Sequence, residues 1–152
     1  MKLRMVDQIL SWERRRTISG VKAVSFEEYD LKAPFGNPAH LPESLLIESL
    51  FQLGNWLIVL SSDFTQMAMI TRTQLVRFDR QVRPGETVSL HACVRRYRDD
   101  GVLFDGRASV GSDQIAIGEG CLAVPVPLAD HFSPDDLRVL FSEICRPERE
   151  AS

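Results

Sequence analysis

The spacing of hydrophobic positions changes along the chain and divides it into one long helix and several strands. Residues 43–61 are apolar at most positions, and Pro42 before them suits a helix start because its missing N–H would be unpaired there anyway. A helix that is apolar nearly all round is expected to be buried. The pattern therefore predicts a long central helix surrounded by other elements.

Alternation of apolar and polar residues predicts strands on both sides of this helix. A strand is expected at 17–28, with a bulge near Gly20, followed by a proline-rich loop over 29–42. Further extended segments are predicted at 67–78, 86–97, 102–110 and 114–124. The last three are joined by Asp100-Gly101, with Gly101 at positive φ, and by Gly111-Ser112-Asp113. Consecutive hairpins predict an antiparallel meander.

The end of the chain predicts a second, shorter helix. Pro125 and Pro127 are expected to end the sheet, and Ser133-Pro134-Asp135-Asp136 then supplies an N-cap, a first-turn proline and acidic residues at the positive end of the helix. The helix is expected over 133–145. The predicted fold is α+β, a single domain over 1–152 whose antiparallel sheet wraps the long helix. Pairing of a free sheet edge with a second copy predicts a homodimer.

Composition narrows the class of function. The 152 residues include 18 basic and 21 acidic ones, so the net charge of −3 gives no general footprint for nucleic acid. The three cysteines form no CxxC pair and the three histidines no HExxH motif, so no metal site is expected. The apolar stretch 49–62 is shorter than a membrane span, and no signal peptide is visible. A cytoplasmic protein is expected.

Four polar residues share one stripe of the apolar helix. At ~100° per residue, Ser44, Glu48, Gln52 and Asn55 lie within about 80° of one another. The stripe either faces water or lines a cavity or a subunit interface. Exposed helix faces usually carry Lys or Arg beside Glu, and this stripe has neither, which favours the second interpretation.

Three segments resemble the hotdog-fold 3-hydroxyacyl-acyl-carrier-protein dehydratases. Pro34-Phe35-Gly36-Asn37-Pro38-Ala39-His40-Leu41-Pro42, followed by Glu48 and Gln52, is similar to the family signature H-F-P-G-x-P-x-x-P-G-x-x-x-x-E-x-x-x-Q. Val6-Asp7-Gln8-Ile9-Leu10 looks like the family's opening V-D-R-[VI]-L. The run from Arg77 to Glu86, RFDRQVRPGE, is similar to R-F-x-x-x-V-x-P-G-D/E. The resemblance covers about 5–125.

This resemblance implies a dimeric hotdog fold and the loss of water from a 3-hydroxyacyl thioester. The acyl chain would be carried on the phosphopantetheine of acyl carrier protein or CoA, and no cofactor would be needed. In the family, a loop His takes the C2 proton and the helix Glu of the other subunit protonates the departing hydroxyl, while a backbone N–H holds the thioester oxygen. Glu48 and Gln52 stand at the retained helix positions.

The sequence departs from the family at the base. Pro34, which has no ionisable group, occupies the position of the catalytic His, and Glu43 replaces a Gly. His40 is a candidate substitute base, although a helix-flanking His is the simpler interpretation. Four hypotheses follow: a degenerate dehydratase that pairs with a homologous subunit, a lyase using His40 or a water as base, a thioesterase using Glu48, and a non-catalytic acyl-chain-binding or structural protein.

Further residues are candidates for substrate binding. Phe35 stands on the family Phe, while Ser44 and Asn55 belong to the polar stripe. Met67 is expected either in an acyl tunnel or in the plain core, since Met adapts to irregular ligands. Three arginines before Pro84-Gly85 form either a site for carrier phosphates or a solvated strand edge; these are Arg77, Arg80 and Arg83.

Overall fold

The computed structural model describes residues 4–25 and 40–146. Its strands are β1 (Gln8–Glu13), β2 (Thr17–Ala23), β3 (Gln66–Arg72), β4 (Leu75–Phe78), β5 (Thr87–Arg98), β6 (Gly101–Val110) and β7 (Asp113–Pro127). Its helices are α1 (Glu43–Ser61), a 3₁₀ turn (Leu128–Asp130) and α2 (Pro134–Ile144). Both predicted α-helices are therefore present, α1 with the predicted bounds.

The strands form one antiparallel sheet that carries α1 on its inner face. The strand order is β1-β2-β5-β6-β7-β3, and β4 also pairs with β7. The inner-face residues of β5 and β6 are buried, as their alternation predicts; examples are Val88, Leu90, Val102 and Phe104. By length and composition α1 could cross a membrane, but 67% of its apolar window is buried inside the fold.

Two glycines let elements approach closely. A Cβ on Gly54 of α1 would lie 2.5 Å from the Phe104 ring, and a Cβ on Gly20 would lie 2.5 Å from the carbonyl oxygen of Gln8. The register of β1 against β2 shifts between Ile9 and Ser11, directly beside Gly20. A bulge therefore lies opposite Gly20, but its extra residue, Leu10, belongs to β1 and not to the strand for which the bulge was predicted.

The strand count differs from the prediction at two places. β1 was not predicted as a strand. Ile9 is its single fully buried residue, so the sequence shows little alternation of apolar and polar positions there. The segment 67–78 is two strands, not one, because Gly120 of β7 takes a left-handed φ of +62° opposite the break. Gln74, which lies in the break, donates its N–H to the carbonyl oxygen of Glu119.

Other predicted boundaries also change. Gly101 does not have positive φ; among the described glycines only Gly85, Gly111 and Gly120 do, and a two-residue turn joins Arg98 to Gly101. β2 ends at Ala23, and most of the predicted loop over 29–42 lies outside the described residues.

The prolines do not end the sheet, because β7 continues to Pro127. Pro125 is paired with Ala68, whose N–H points to Asn55 and not to β7. The pair is therefore of the kind that exchanges no backbone hydrogen bonds, and the missing N–H of Pro125 costs no ladder bond to β3.

Candidate functional site

Gln52 fixes the polar stripe of α1 by bonding in two directions. Its Oε1 accepts a 2.9 Å hydrogen bond from the backbone N–H of Met5, and its Nε2 donates a 3.1 Å hydrogen bond to Oε1 of Glu48. Gln52 is only 8% exposed, so its amide is held inside the fold. Glu48, one turn earlier on α1, is thereby oriented by a buried neighbour while remaining half-buried itself.

Asn55 continues the stripe towards the edge of the sheet. Its Oδ1 accepts a 2.8 Å hydrogen bond from the backbone N–H of Ala68 in β3. Ser44, at the start of α1, is exposed. Three members of the stripe line an open cleft of about 370 Å³, together with Phe51, Ala68 and Ile70; these members are Glu48, Gln52 and Asn55. The stripe therefore lines a cleft, and Ser44 lies outside it.

The cleft reaches the free edge of β3, where apolar side chains are exposed. Met69 of β3 is 55% exposed, and β4 exposes Leu75, Val76 and Phe78. Six large hydrophobic side chains of the described residues are exposed, and four of them lie on these two strands. Such a concentration at one sheet edge is typical of an interaction surface.

Only some of the candidate residues in the proline-rich loop belong to the described part of the chain. Pro34 and Phe35 lie outside the described residues. His40 is half-buried just before α1, and its Nε2 lies 3.9 Å from Oε2 of Glu43, an ion pair only when the imidazole is protonated. Leu41 is anchored through its N–H to the carbonyl oxygen of Val82.

The three arginines are not three free cations. Nε of Arg77 lies 3.0 Å from the Asp79 carboxylate, and Arg80 contacts both carboxylate oxygens of Glu86 at 3.1 and 3.2 Å. The Arg80 hydrogen bond, with one from the backbone N–H of Arg83, lowers the pKa of Glu86 below its ordinary value. Much of the positive charge predicted for carrier phosphates is therefore balanced within the chain.

Met67 lies on an apolar pocket next to the cleft. Gln52 and Asn55 form its polar rim, and its remaining lining residues are Trp56, Val59, Met67, Leu128, Phe132 and Leu137. The free volume is only about 10 Å³. The helix that carries Leu137 was predicted from the sequence, but its position beside α1 was not.

Sequence reasoning also missed the backbone groups of the site. The N–H groups of Met5 and Ala68 hold Gln52 and Asn55, and a backbone N–H leaves no signature in the residue type. Among residues 4–25 and 40–146, no cluster of three His, Cys, Asp or Glu side chains could hold a metal ion. The polar side chains that α1 presents at this site are the carboxylate of Glu48 and the amides of Gln52 and Asn55.

Comparisons with known proteins identify the family and agree with the fold. The family model of the FabA-like domain matches residues 1–119. The 3-hydroxyacyl-[acyl-carrier-protein] dehydratase FabZ of Thermomicrobium roseum is 32% identical over 127 residues, which cover 82% of this chain and 85% of the relative. The FabZ of Moorella thermoacetica is 31% identical over 121 residues, with coverages of 79% and 85%.

Solved structures share the architecture at low sequence identity. The fluoroacetyl-CoA thioesterase FlK is 13% identical with a TM-score of 0.64, covering 86% of this chain and 96% of its own. A hot-dog-like protein from Thermanaerovibrio acidaminovorans is 17% identical with a TM-score of 0.61, and the coverages are 82% and 87%. These likenesses confirm the predicted hotdog fold.

Proposed function

The chain belongs to the FabA-like domain family, and from this premise we propose that it is a FabZ-like dehydratase homologue that keeps the acid of the reaction and lacks the base. It would bind a 3-hydroxyacyl thioester in the cleft, with Glu48 at the reacting carbons. The observation that supports this proposal is the position of Glu48, at a family position, in a cleft, and oriented by the buried amide of Gln52.

The reaction needs two proton transfers. A base removes a proton from C2 while the C3–O bond breaks, and an acid donates a proton to the departing hydroxyl, which leaves as water and yields the 2-enoyl thioester. Glu48 in its protonated form would supply the second proton. Pro34 stands where the family has the His that takes the first proton, and the proline ring has no group that could accept it.

A second subunit would complete the site. The cleft is lined by Ala68 and Ile70 of β3, whose free edge is apolar, so a second chain paired there would close the cleft. A homodimer would contain Glu48 twice and no family His. A heterodimer with a homologous subunit would bring that subunit's His to Glu48. The substrate would arrive on acyl carrier protein or CoA without any cofactor, and a cytoplasmic location stays a prediction.

The restored base gives the sharpest test. We expect Pro34→His to convert 3-hydroxybutyryl thioesters into the 2-enoyl product, and the added Glu48→Gln substitution to abolish this gain, measured by mass spectrometry of CoA and carrier-protein substrates. Glu43→Gln is the matched control, because Glu43 is an acid on the same helix outside the described cleft lining. Mixing the unaltered chain with a relative that retains its His but lacks its helix carboxylate should likewise create activity that depends on Glu48.

Activity of the unaltered chain alone would contradict the proposed loss. If 3-hydroxyacyl substrate gave the enoyl product without Pro34→His, and His40→Ala removed that activity, then His40 would be the base and the chain would be a complete lyase. No gain from either Pro34→His or the mixture would contradict the retained role of Glu48.

Hydrolysis of the thioester is the second candidate function. It is favoured by a carboxylate that lies in a cleft while the family base is absent from the sequence. Glu48 as an anion would take a proton from water, the oxygen would attack the thioester carbonyl, and the thiol would leave with a proton, giving a free acid. Release of free acid from butyryl thioesters, lost in Glu48→Gln, would identify this reaction, because butyryl thioesters have no hydroxyl to eliminate.

A further inference from the structure

The last described segment of the chain lies outside the part that the family model matches. The match ends at residue 119, whereas the 3₁₀ turn and α2 cover Leu128–Asp130 and Pro134–Ile144. This segment contributes Leu128, Phe132 and Leu137 to the apolar pocket behind the polar stripe. The end of the pocket is therefore built by residues that lie beyond the matched range 1–119.

The pocket is the apolar continuation of the site. Gln52 and Asn55 line both the open cleft beside Glu48 and the pocket, so the two spaces adjoin at these side chains. A thioester bound at Glu48 has an apolar chain to place, and Trp56, Val59 and Met67 offer apolar surface one step beyond the amides. The open end of this path is polar and its closed end is apolar, as an acyl thioester requires.

The pocket is closed in this structure. Its free volume of about 10 Å³ is no larger than the ~10–15 Å³ that one water molecule needs. Leu137 is only 8% exposed, and Leu128 is fully buried. A long acyl chain could therefore enter only if α2 or its side chains moved away.

α2 is held over the pocket by contacts in its middle and beyond its C-terminal end. In the middle, the Arg138 guanidinium lies 4.9 Å from the centroid of the Phe64 ring. The Phe141 ring lies 6.1 Å from that of Trp56, and beyond the helix the N–H of Arg146 donates to the carbonyl oxygen of Ile9. Moving α2 would break contacts with both α1 and β1. The helix is thus a fixed wall and not a hinged lid.

We propose that α2 and the segment before it limit the length of the acyl chain, with Leu137 of α2 and Phe132 before the helix as the residues that set the limit. The site then accepts short-chain 3-hydroxyacyl thioesters and excludes long ones. This inference rests on the proposed function, because it assumes that an acyl chain enters beside Gln52 and Asn55. It concerns binding, so its test does not require turnover.

Tryptophan fluorescence can report the occupancy of this pocket. The chain has two tryptophans, so Trp12→Phe leaves Trp56, which lines the pocket, as the single fluorophore. Butyl, octyl and dodecyl thioethers of pantetheine are suitable probes, because they carry the arm shared by CoA and carrier protein and can be neither hydrolysed nor dehydrated. Burial of each added methylene would raise the affinity about fourfold where room remains.

We expect the butyl probe to bind and the octyl and dodecyl probes to gain nothing from their extra carbons. Leu137→Ala, made in the Trp12→Phe background, should raise the ratio of dodecyl to butyl affinity by about tenfold or more, since it removes the wall. Leu137→Val is the milder variant in case the alanine does not fold. Val139→Ala is the matched control and should change nothing, because Val139 of α2 is 59% exposed.

Two results would overturn the length limit. In the first, the unaltered pocket binds dodecyl more tightly than butyl by the full methylene increment, and Leu137→Ala leaves that ratio unchanged. In the second, no probe alters Trp56 fluorescence in any variant that folds. Failure of the proposed chemistry is distinguishable, because a chain that binds butyl selectively and converts no thioester would keep the length limit and lose the dehydratase role.

Discussion

The two helices lie against each other but are specified in different ways. α1 has no side-chain N-cap bond and no basic residue in its last turn, yet twelve of its nineteen residues are buried. α2 buries only Leu137 and Ile144, but the Ser133 side chain caps it, Pro134 begins it and two acids occupy its first turn. Packing therefore determines α1, while local capping signals and one apolar stripe determine α2.

Under the proposed function, this difference separates the residues of the chemistry from those that select the acyl chain. The carboxylate and the amides of the site lie on α1, within the matched family domain, where dense packing keeps their geometry constant. The wall of the apolar pocket lies on α2, outside the match, where substitutions should disturb the rest of the fold less. Selectivity for the acyl chain could therefore change in evolution without moving Glu48.

Truncation of a leucine in each helix should show the difference most clearly. Leu53 of α1 is fully buried, and we expect Leu53→Ala to lower the free energy of unfolding by about 3–4 kcal/mol, through lost burial and the cavity left behind. Leu140 of α2 is only partly buried, and Leu140→Ala should lower the free energy of unfolding by about 1 kcal/mol. Urea denaturation followed by circular dichroism measures both, and equal losses would contradict the contrast between the helices.

Loss of the Gln52 amide should lower the free energy of unfolding by an intermediate amount. Gln52→Leu leaves the buried N–H of Met5 without its acceptor and removes the amide that orients Glu48, so we expect a loss of about 2 kcal/mol in unfolding free energy. Gln114→Leu, on the exposed outer face of the sheet, is the matched control and should be nearly neutral. A neutral Gln52→Leu would show that the stripe is not held from the N-terminal segment.

Sequence patterns predicted the parts of the fold whose signals are local. The bounds of α1 follow from Pro42 and the apolar run, and the meander of β5, β6 and β7 follows from clean alternation and the Gly111 turn. β1 was missed because only Ile9 is fully buried on it. The break between β3 and β4 was missed because its cause, the left-handed Gly120, lies on another strand.

For the candidate site, the positions of the side chains could be predicted from the sequence, but their partners could not. The angular positions of Glu48, Gln52 and Asn55 follow from helix geometry alone, and the structure places all three on one cleft. Gln52 and Asn55 are bonded to backbone N–H groups of distant segments, and the residue types of those segments do not indicate such bonds. The balance of Arg80 by Glu86 depends on a turn that brings residues six apart together, so the sequence showed the charge but not its neutralisation.

The cap of α2 should have the smallest and most local effect. Ser133→Ala removes the 3.3 Å hydrogen bond that the Ser133 hydroxyl accepts from the N–H of Asp136. We expect it to lower the free energy of unfolding by about 1 kcal/mol. Ser142→Ala on the same helix is the control, since its exposed hydroxyl bonds only within the helix. Amide hydrogen exchange should accelerate in the first turn of α2 and stay unchanged in α1. Faster exchange throughout α1 would mean that α1 also depends on the local signals of its neighbour, and the separation between the two helices would then fail.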